Sequence, residues 1–293
     1  MTTRVQPQTG GASSALPQTA AYTDHYVEAG GLRFHYLDYG TAAKPVMLCI
    51  HGSAAHAHWF DFVAPGFTSD YHVLSLDLRG HGDSAAVDPP QYHYNDYATD
   101  LNNFVQALDL RDFALVGHSM GGAVTLFYLA SHPGRAAKYV LIDTAVNLSA
   151  SRIAEMRNIG SRPGRDFATK QEVIDRYQLR PGHSQAARDV VRYIASHSIR
   201  QNPDGTWRYK FDRNVYATRE PYDGNVLWDR VKIPTLLVRG DHSKRITDEV
   251  FEDVKKRCPQ AELVEVAHSD HHVTLDNPQG FVNAVKPWLA RQP

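Results

Sequence analysis

Phe113–Gly117 (FALVG) is an apolar, β-forming run that ends at Gly117-His118-Ser119-Met120-Gly121. Small and apolar residues then continue from Met120 to Ser131, as in a helix buried against a sheet. A strand that runs straight into a helix must reverse within a residue or two. Ser119 sits at that reversal, where the backbone takes a conformation most side chains avoid. Glycines two residues to either side let neighbouring chains pass closely. Such a turn lifts the Ser119 hydroxyl clear of the sheet and aims the following helix N-terminus at it. Gly-x-Ser-x-Gly is common in itself, but placed between strand and helix it makes Ser119 a candidate nucleophile.

The rest of the chain supplies the frame this turn needs. His25–Tyr39 alternates around Gly30-Gly31 and reads as a β-hairpin. Short β-rich runs follow at Pro45–His51, Tyr71–Asp77, Asp112–Gly117, Lys138–Asp143, Thr235–Gly240 and Glu262–Val266. Several are nearly continuous apolar stretches, as expected of parallel strands covered on both faces. Between them, Asp96–Leu108 places Tyr97, Leu101, Phe104, Val105 and Leu108 on one helical face, and Asp248–Arg257 and Pro278–Leu289 read as outer helices. Strand–helix alternation predicts an α/β fold with a doubly wound, mostly parallel sheet.

Residues 146–227 break the rhythm. They are rich in Arg, Gly, Pro and aromatic residues, with helical pieces at Lys170–Leu179 and Ala186–His197 and no convincing central strand. This stretch reads as a helical cap inserted into the core formed by residues 25–145 and 228–293, and Trp207, Tyr209, Phe211 and Tyr216 give it apolar surface to fold around. Residues 1–24, rich in Gln, Thr, Ser, Ala, Gly and Pro, read as a flexible tail.

VGHSMGG, the earlier run ending in His51-Gly52, and Asp77–Ser84 (DLRGHGDS) together resemble the α/β-hydrolase superfamily, over about residues 25 to 290. The resemblance implies a cofactor-free serine hydrolase. It further implies that the backbone N–H groups of Ser53 and Met120 form the oxyanion hole, while the Asp77–Gly82 loop shapes the site without chemistry of its own.

A neutral serine needs a base, and that base is expected after the last strand, in VAHSDHHVTLDNPQGF. His268, His271 and His272 compete there. The family places its histidine four or five residues before an acidic–Asn/Arg–Pro helix opening, and counting back from Asp276-Asn277-Pro278 selects His271 over His272. The usual position for the third member, three residues after the glycine that ends Thr235–Gly240, holds Ser243 instead of an acid. Two carboxylates remain: Asp241 in the same loop, and Asp143 at the end of the preceding strand. A branch of the superfamily that includes esterases and the hydrolase of (E)-2-(acetamidomethylene)succinate carries its acid at the latter place, with a similar RG-x-x-S-K loop. That resemblance favours Asp143 over Asp241.

Composition sets outer bounds. A formal net charge of −1 gives no electrostatic reason to expect nucleic acid or an anionic membrane as partner. No apolar run is long enough to span a bilayer. Cys49 and Cys258 make no disulfide framework, which fits a cytoplasmic setting, and Cys49 reads as a small core hydrophobe. His56, His58 and the His271-His272 pair lack the spacing of a metal site, and no Gly-rich phosphate loop is present, so neither metal nor nucleotide cofactor is expected. His56, His58 and Trp59 instead read as pocket residues. The expected partner is a small molecule: an ester, thioester, lactone or amide. Cap arginines 152, 157, 162 and 165 are candidates to meet a carboxylate on it. A non-hydrolytic relative of the same fold, either a ligand receptor or a cofactor-free oxygenase, is the alternative. Oligomeric state is not legible.

Overall fold

The computed structural model describes residues 3–4, 16–40, 42–145 and 147–291. In chain order its strands are β1 (Thr3–Arg4), β2 (Thr23–Ala29), β3 (Leu32–Asp38), β4 (Val46–Ile50), β5 (His72–Leu76), β6 (Phe113–His118), β7 (Ala136–Ile142), β8 (Ile199–Gln201), β9 (Trp207–Tyr209), β10 (Thr235–Gly240) and β11 (Ala261–Val266). Nine of them form one sheet in the order β1-β11-β10-β7-β6-β4-β5-β3-β2. From β1 to β5 all neighbours are parallel, while β3 pairs antiparallel with both β5 and β2.

The apolar runs of the central strands divide between two cores because successive side chains point to opposite faces. Leu48, Ile50, Leu74 and Leu76 join one core with α1 (Tyr94–Ala107) and α2 (Met120–Ser131), through Leu101, Phe104 and Val124. Met47, Cys49, Val116 and Val238 join the other, which packs on Phe281 and Val285 of the C-terminal helix Pro278–Leu289. Cys49 is thus the core residue expected of it.

Chain order reverses about β4: the chain goes from β4 to β5 on one side and then crosses to β6 on the other. Loops leaving adjacent strands in opposite directions open a crevice at the C-terminal sheet edge, the usual place for a ligand in such folds. Ser53, after β4, and Ser119, after β6, both lie there.

Between β7 and β10 the chain leaves the sheet and forms α3 (Ala150–Ser161), α4 (Lys170–Asp175), α5 (Arg188–His197) and α6 (Asn214–Ala217). The insert is not all helix. β8 and β9 form an antiparallel hairpin apart from the main sheet, closed at Asp204-Gly205 with Gly205 at φ 87°. Ile199 joins Phe167 and Val173 in a small core of its own, with Trp207 and Tyr209 packed against it. The three-residue strands are too short to register as periodicity, although an Asp-Gly pair is a known hairpin signal.

Most of the expected N-terminal tail, residues 1–2 and 5–15, lies outside the described residues, as does Val146 at the start of the insert. The rest is partly engaged: Thr3–Arg4 pairs with Val264–Glu265, and Tyr22 packs edge-on against Tyr39 and His58. Among the described residues no helix is long and apolar enough to cross a membrane.

Candidate active site

Ser119 has φ 54° and ψ −119°, a strained conformation held from two sides. Its N–H donates to the Ile142 carbonyl (3.0 Å), and Thr144 Oγ1 donates to its own carbonyl (3.0 Å). The flanking glycines are steric requirements. A Cβ on Gly121 would lie 2.4 Å from the carbonyl oxygens of both Ile50 and His51, and one on Gly117 would lie 2.7 Å from the Gly121 carbonyl oxygen.

Three strand ends converge on this turn. Asp143 follows β7, its N–H tied to the Val238 carbonyl of β10 (2.8 Å). His271 comes from the loop after β11. Its Nε2 lies 2.9 Å from Ser119 Oγ and its Nδ1 lies 2.7 Å from Asp143 Oδ2. Ser243 Oγ donates to the same Oδ2 at 2.8 Å. Burial pushes the Asp143 carboxyl up to about 7, against the pull of the Ser243 hydroxyl and the Arg245 guanidinium 3.9 Å away. Burial also holds the His271 imidazole well below its ordinary range, with His118, Arg245 and His272 adding to the effect. A neutral imidazole between a hydroxyl and a carboxyl can take a proton on Nε2 while its Nδ1–H stays fixed.

The competing residues are occupied elsewhere. Asp241 Oδ1 accepts from the Ser269 N–H (3.0 Å) and organises the loop that carries His271. His268 is exposed at φ 54°. The buried His272 donates from Nε2 to the Pro181 carbonyl of the insert (2.9 Å). His51 donates from Nδ1 to the Gly52 carbonyl (2.7 Å), and Asp77 accepts from the N–H groups of Ala57 and Asp83 (2.6 and 2.9 Å). Among the described residues no acceptor takes the N–H of Ser53 or of Met120. Met120 opens α2, whose first amides have no partner within the helix.

A family model described as the alpha/beta hydrolase fold matches residues 45–278, most of the chain. The chain belongs to the α/β-hydrolase fold family. An esterase of Mycobacterium tuberculosis is 30% identical over 279 residues, spanning 90% of this chain and 88% of that protein. A 2-(acetamidomethylene)succinate hydrolase of Mesorhizobium japonicum is 27% identical over 280 residues, spanning 91% and 96%. The crystal structure of an E-2-(acetamidomethylene)succinate hydrolase superposes with a TM-score of 0.80 at 22% identity, covering 92% of this chain and all of that one, a likeness of fold. With relatives named esterases, a lipase and a hydrolase, the chain is an α/β-hydrolase enzyme.

Between the sheet edge and the insert, this α/β-hydrolase holds a cavity of about 700 Å³. Ser53, His56 and Trp59 line its inner end, and Phe167, Tyr209 and Tyr216 are among its walls from the insert. Ser119 is not itself a wall. It lies just past Ser53, where a Cβ on Gly52 would come within 3.1 Å of its Cβ. His56 and Trp59 thus stand where a substrate would lie, whereas His58 is turned away, its Nδ1 2.9 Å from Asp61.

The cap arginines singled out from sequence scatter. Arg152 pairs with Glu155 on the surface, Arg157 donates to the Arg219 carbonyl (2.7 Å), and Arg162 is exposed at the end of α3. Of the four, Arg165 reaches the cavity, where it pairs with Glu172.

Sequence reasoning passed over Arg219, which is only 1% exposed. One Nη2 contacts Ser53 Oγ (3.3 Å) and Met120 Sδ, so the guanidinium lies behind both residues of the expected oxyanion hole. Among the described residues its Nε and Nη1 have no hydrogen-bond partner, and it stacks over Tyr94 (5.2 Å to the ring centroid). No motif surrounds it in the sequence, so only folding reveals it.

Among the described residues, two clusters could offer a metal three ligands: His118 with His271 and His272, and His35 with Asp77 and Asp83. In the first, both His271 nitrogens face Ser119 and Asp143, which leaves two ring nitrogens free of that network. In the second, Asp77 accepts from His35 Nδ1 (2.7 Å) and from backbone, as a loop-holding carboxylate does.

Proposed function

We propose that this α/β-hydrolase is a serine hydrolase that cleaves a small ester, thioester, lactone or amide through an acyl-enzyme on Ser119. The observation that carries this reading is the unbroken chain Ser119 Oγ–His271 Nε2 and Nδ1–Asp143 Oδ2, at 2.9 and 2.7 Å, on a strained turn.

In the first half-reaction His271 Nε2 takes the Ser119 proton as Oγ bonds to the substrate carbonyl carbon. The carbonyl oxygen becomes an oxyanion facing the N–H groups of Ser53 and Met120. Two backbone donors placed there are worth about 3 kcal/mol or more of barrier. Asp143 stabilises the imidazolium without taking its proton. Collapse of the intermediate breaks the bond to the leaving group, which departs with the proton from His271. Water then attacks the acyl carbon, gives its proton to His271 Nε2, and the acid leaves as Ser119 Oγ is reprotonated.

Labelling with a fluorophosphonate, followed by mass spectrometry of the adduct, tests this directly. Modification of Ser119 that is lost in His271→Ala is the expected outcome. Folded protein that stays unlabelled would overturn the reading and turn attention to ligand binding.

A further inference from the structure

The proposed chemistry makes no use of the cations around the cavity. Several of those cations are already matched. Arg165 and Arg176 share Glu172, Lys210 pairs with Asp83, and Arg213 donates to the carbonyls of Ile159 and Arg162. Three are not. Arg180, Arg200 and Arg208 line the cavity, and among the described residues none of them has a carboxylate or hydrogen-bond acceptor.

The position of two of these is the telling point. In the β8–β9 hairpin Arg200 pairs directly with Arg208. Residues directly opposite in an antiparallel pair share a face with Cβ atoms about 5 Å apart, where like charges repel. Asp83 and Asp212 attract Arg200, but each by less than Arg208 repels it, and neither forms an ion pair with it. Asp83 is taken by Lys210, and Asp212 accepts from Tyr92 and the Asn214 N–H. Two guanidinium forks side by side on a cavity wall match the oxygens of a carboxylate or phosphate, which would turn the repulsion into charge-assisted hydrogen bonds. Arg180 stands apart from this pair, next to Pro181, whose carbonyl takes the hydrogen bond from His272 beside His271.

We infer that the outer part of this cavity is an anion subsite. Arg200 and Arg208 hold a carboxylate or phosphate on the far end of a substrate whose carbonyl lies at Ser53 and Ser119. The inference rests on the serine-hydrolase reading for the identity of the other end. A cavity of about 700 Å³ suits a small molecule in that role.

The test compares p-nitrophenyl hexanoate with two esters of equal reach, mono-p-nitrophenyl adipate and the p-nitrophenyl ester of 4-phosphooxybutanoate. At low ionic strength at least one anionic ester should exceed the neutral one in kcat/KM by about tenfold or more. The gain should shrink as sodium chloride screens it, and whichever anionic ester gains most identifies the group. In the double variant R200Q/R208Q the anionic-to-neutral ratio should fall to near one, with Tm unchanged or raised because the like-charge pair is gone. A preference for the neutral ester in the parent protein would overturn the subsite, as would a ratio unmoved in the double variant. If Ser119 takes no fluorophosphonate and no ester turns over, the hydrolase reading fails, but the subsite can still be tested alone. Calorimetric titration with adipate and with inorganic phosphate should then show binding that R200Q/R208Q loses, and no binding of either would overturn it.

Discussion

Ser243 Oγ donates to Asp143 Oδ2 at 2.8 Å, the same oxygen that faces His271 Nδ1 at 2.7 Å. The residue at the usual place of the acid in the loop after β10 thus donates to the acid proposed at Asp143. Its hydroxyl favours the charged carboxylate and opposes the burial that pushes Asp143 up to about 7. Ser243→Ala removes that donor and leaves Asp143 harder to ionise. We expect kcat to fall about tenfold, the scale of one hydrogen bond to a charged group, and the acid limb of the pH profile to move upward. An unshifted limb would reduce Ser243 to a packing residue.

The pH profile itself follows from the pair. In the proposed mechanism the working state has Asp143 ionised and His271 neutral, one proton fewer than the state favoured at low pH. Burial disfavours charge on both groups, so the pair gives up that proton at about 7, where the Asp143 carboxyl is held. The group is raised, so activity is lost as pH falls through about 7 and reaches its plateau above it. A one-proton limb in kcat/KM is the expected result, and a midpoint below pH 5.5 would contradict it.

Asp143→Asn and Asp241→Asn should separate cleanly. The first keeps the shape but deprives His271 of its charged acceptor and its fixed tautomer, so kcat should fall by about 10³–10⁴ with the fold intact. Asp241 holds the backbone N–H groups of Ser269 and His268, and its change should leave kcat within a few-fold at a stability cost of about 1 kcal/mol or more. Steady-state kinetics with a melting curve on each variant decides between them, and reversed effects would move the acid to Asp241.

What the sequence discloses here is what neighbours in the chain can specify. The turn at Ser119 is legible because strand, glycines and helix are contiguous. His271 and Asp143 come from loops after β11 and β7, and their selection over His272 and Asp241 drew on a resemblance, through the family's spacing for the first and the branch's acid position for the second. Arg219 and the Arg200–Arg208 pair are invisible by that route. Each has its meaning from what folding sets against it: Ser53 and Met120 in one case, and the opposite strand of a three-residue hairpin in the other. The cap arginines that the sequence did single out mostly face solvent, since abundance of a charge carries no information about direction.

Arg219 makes the sharpest prediction because burial and chemistry pull it in opposite directions. A guanidinium removed from water without a carboxylate partner, with Nε and Nη1 unpaired, costs stability. Its neighbours Tyr94, Tyr97, Tyr216 and Tyr222 offer ring faces and hydroxyls in place of a counter-charge. Arg219→Met should therefore leave Tm unchanged or raise it. The same charge, lying behind Ser53 and Met120 in a dry site, favours negative charge on an oxyanion far more than on a neutral carbonyl. Its loss should lower kcat by about tenfold or more with little change in KM, since the interaction strengthens only as the transition state forms. A variant that melts early with kcat intact would make Arg219 a structural cation, and one that raises KM alone would place its effect on ground-state binding.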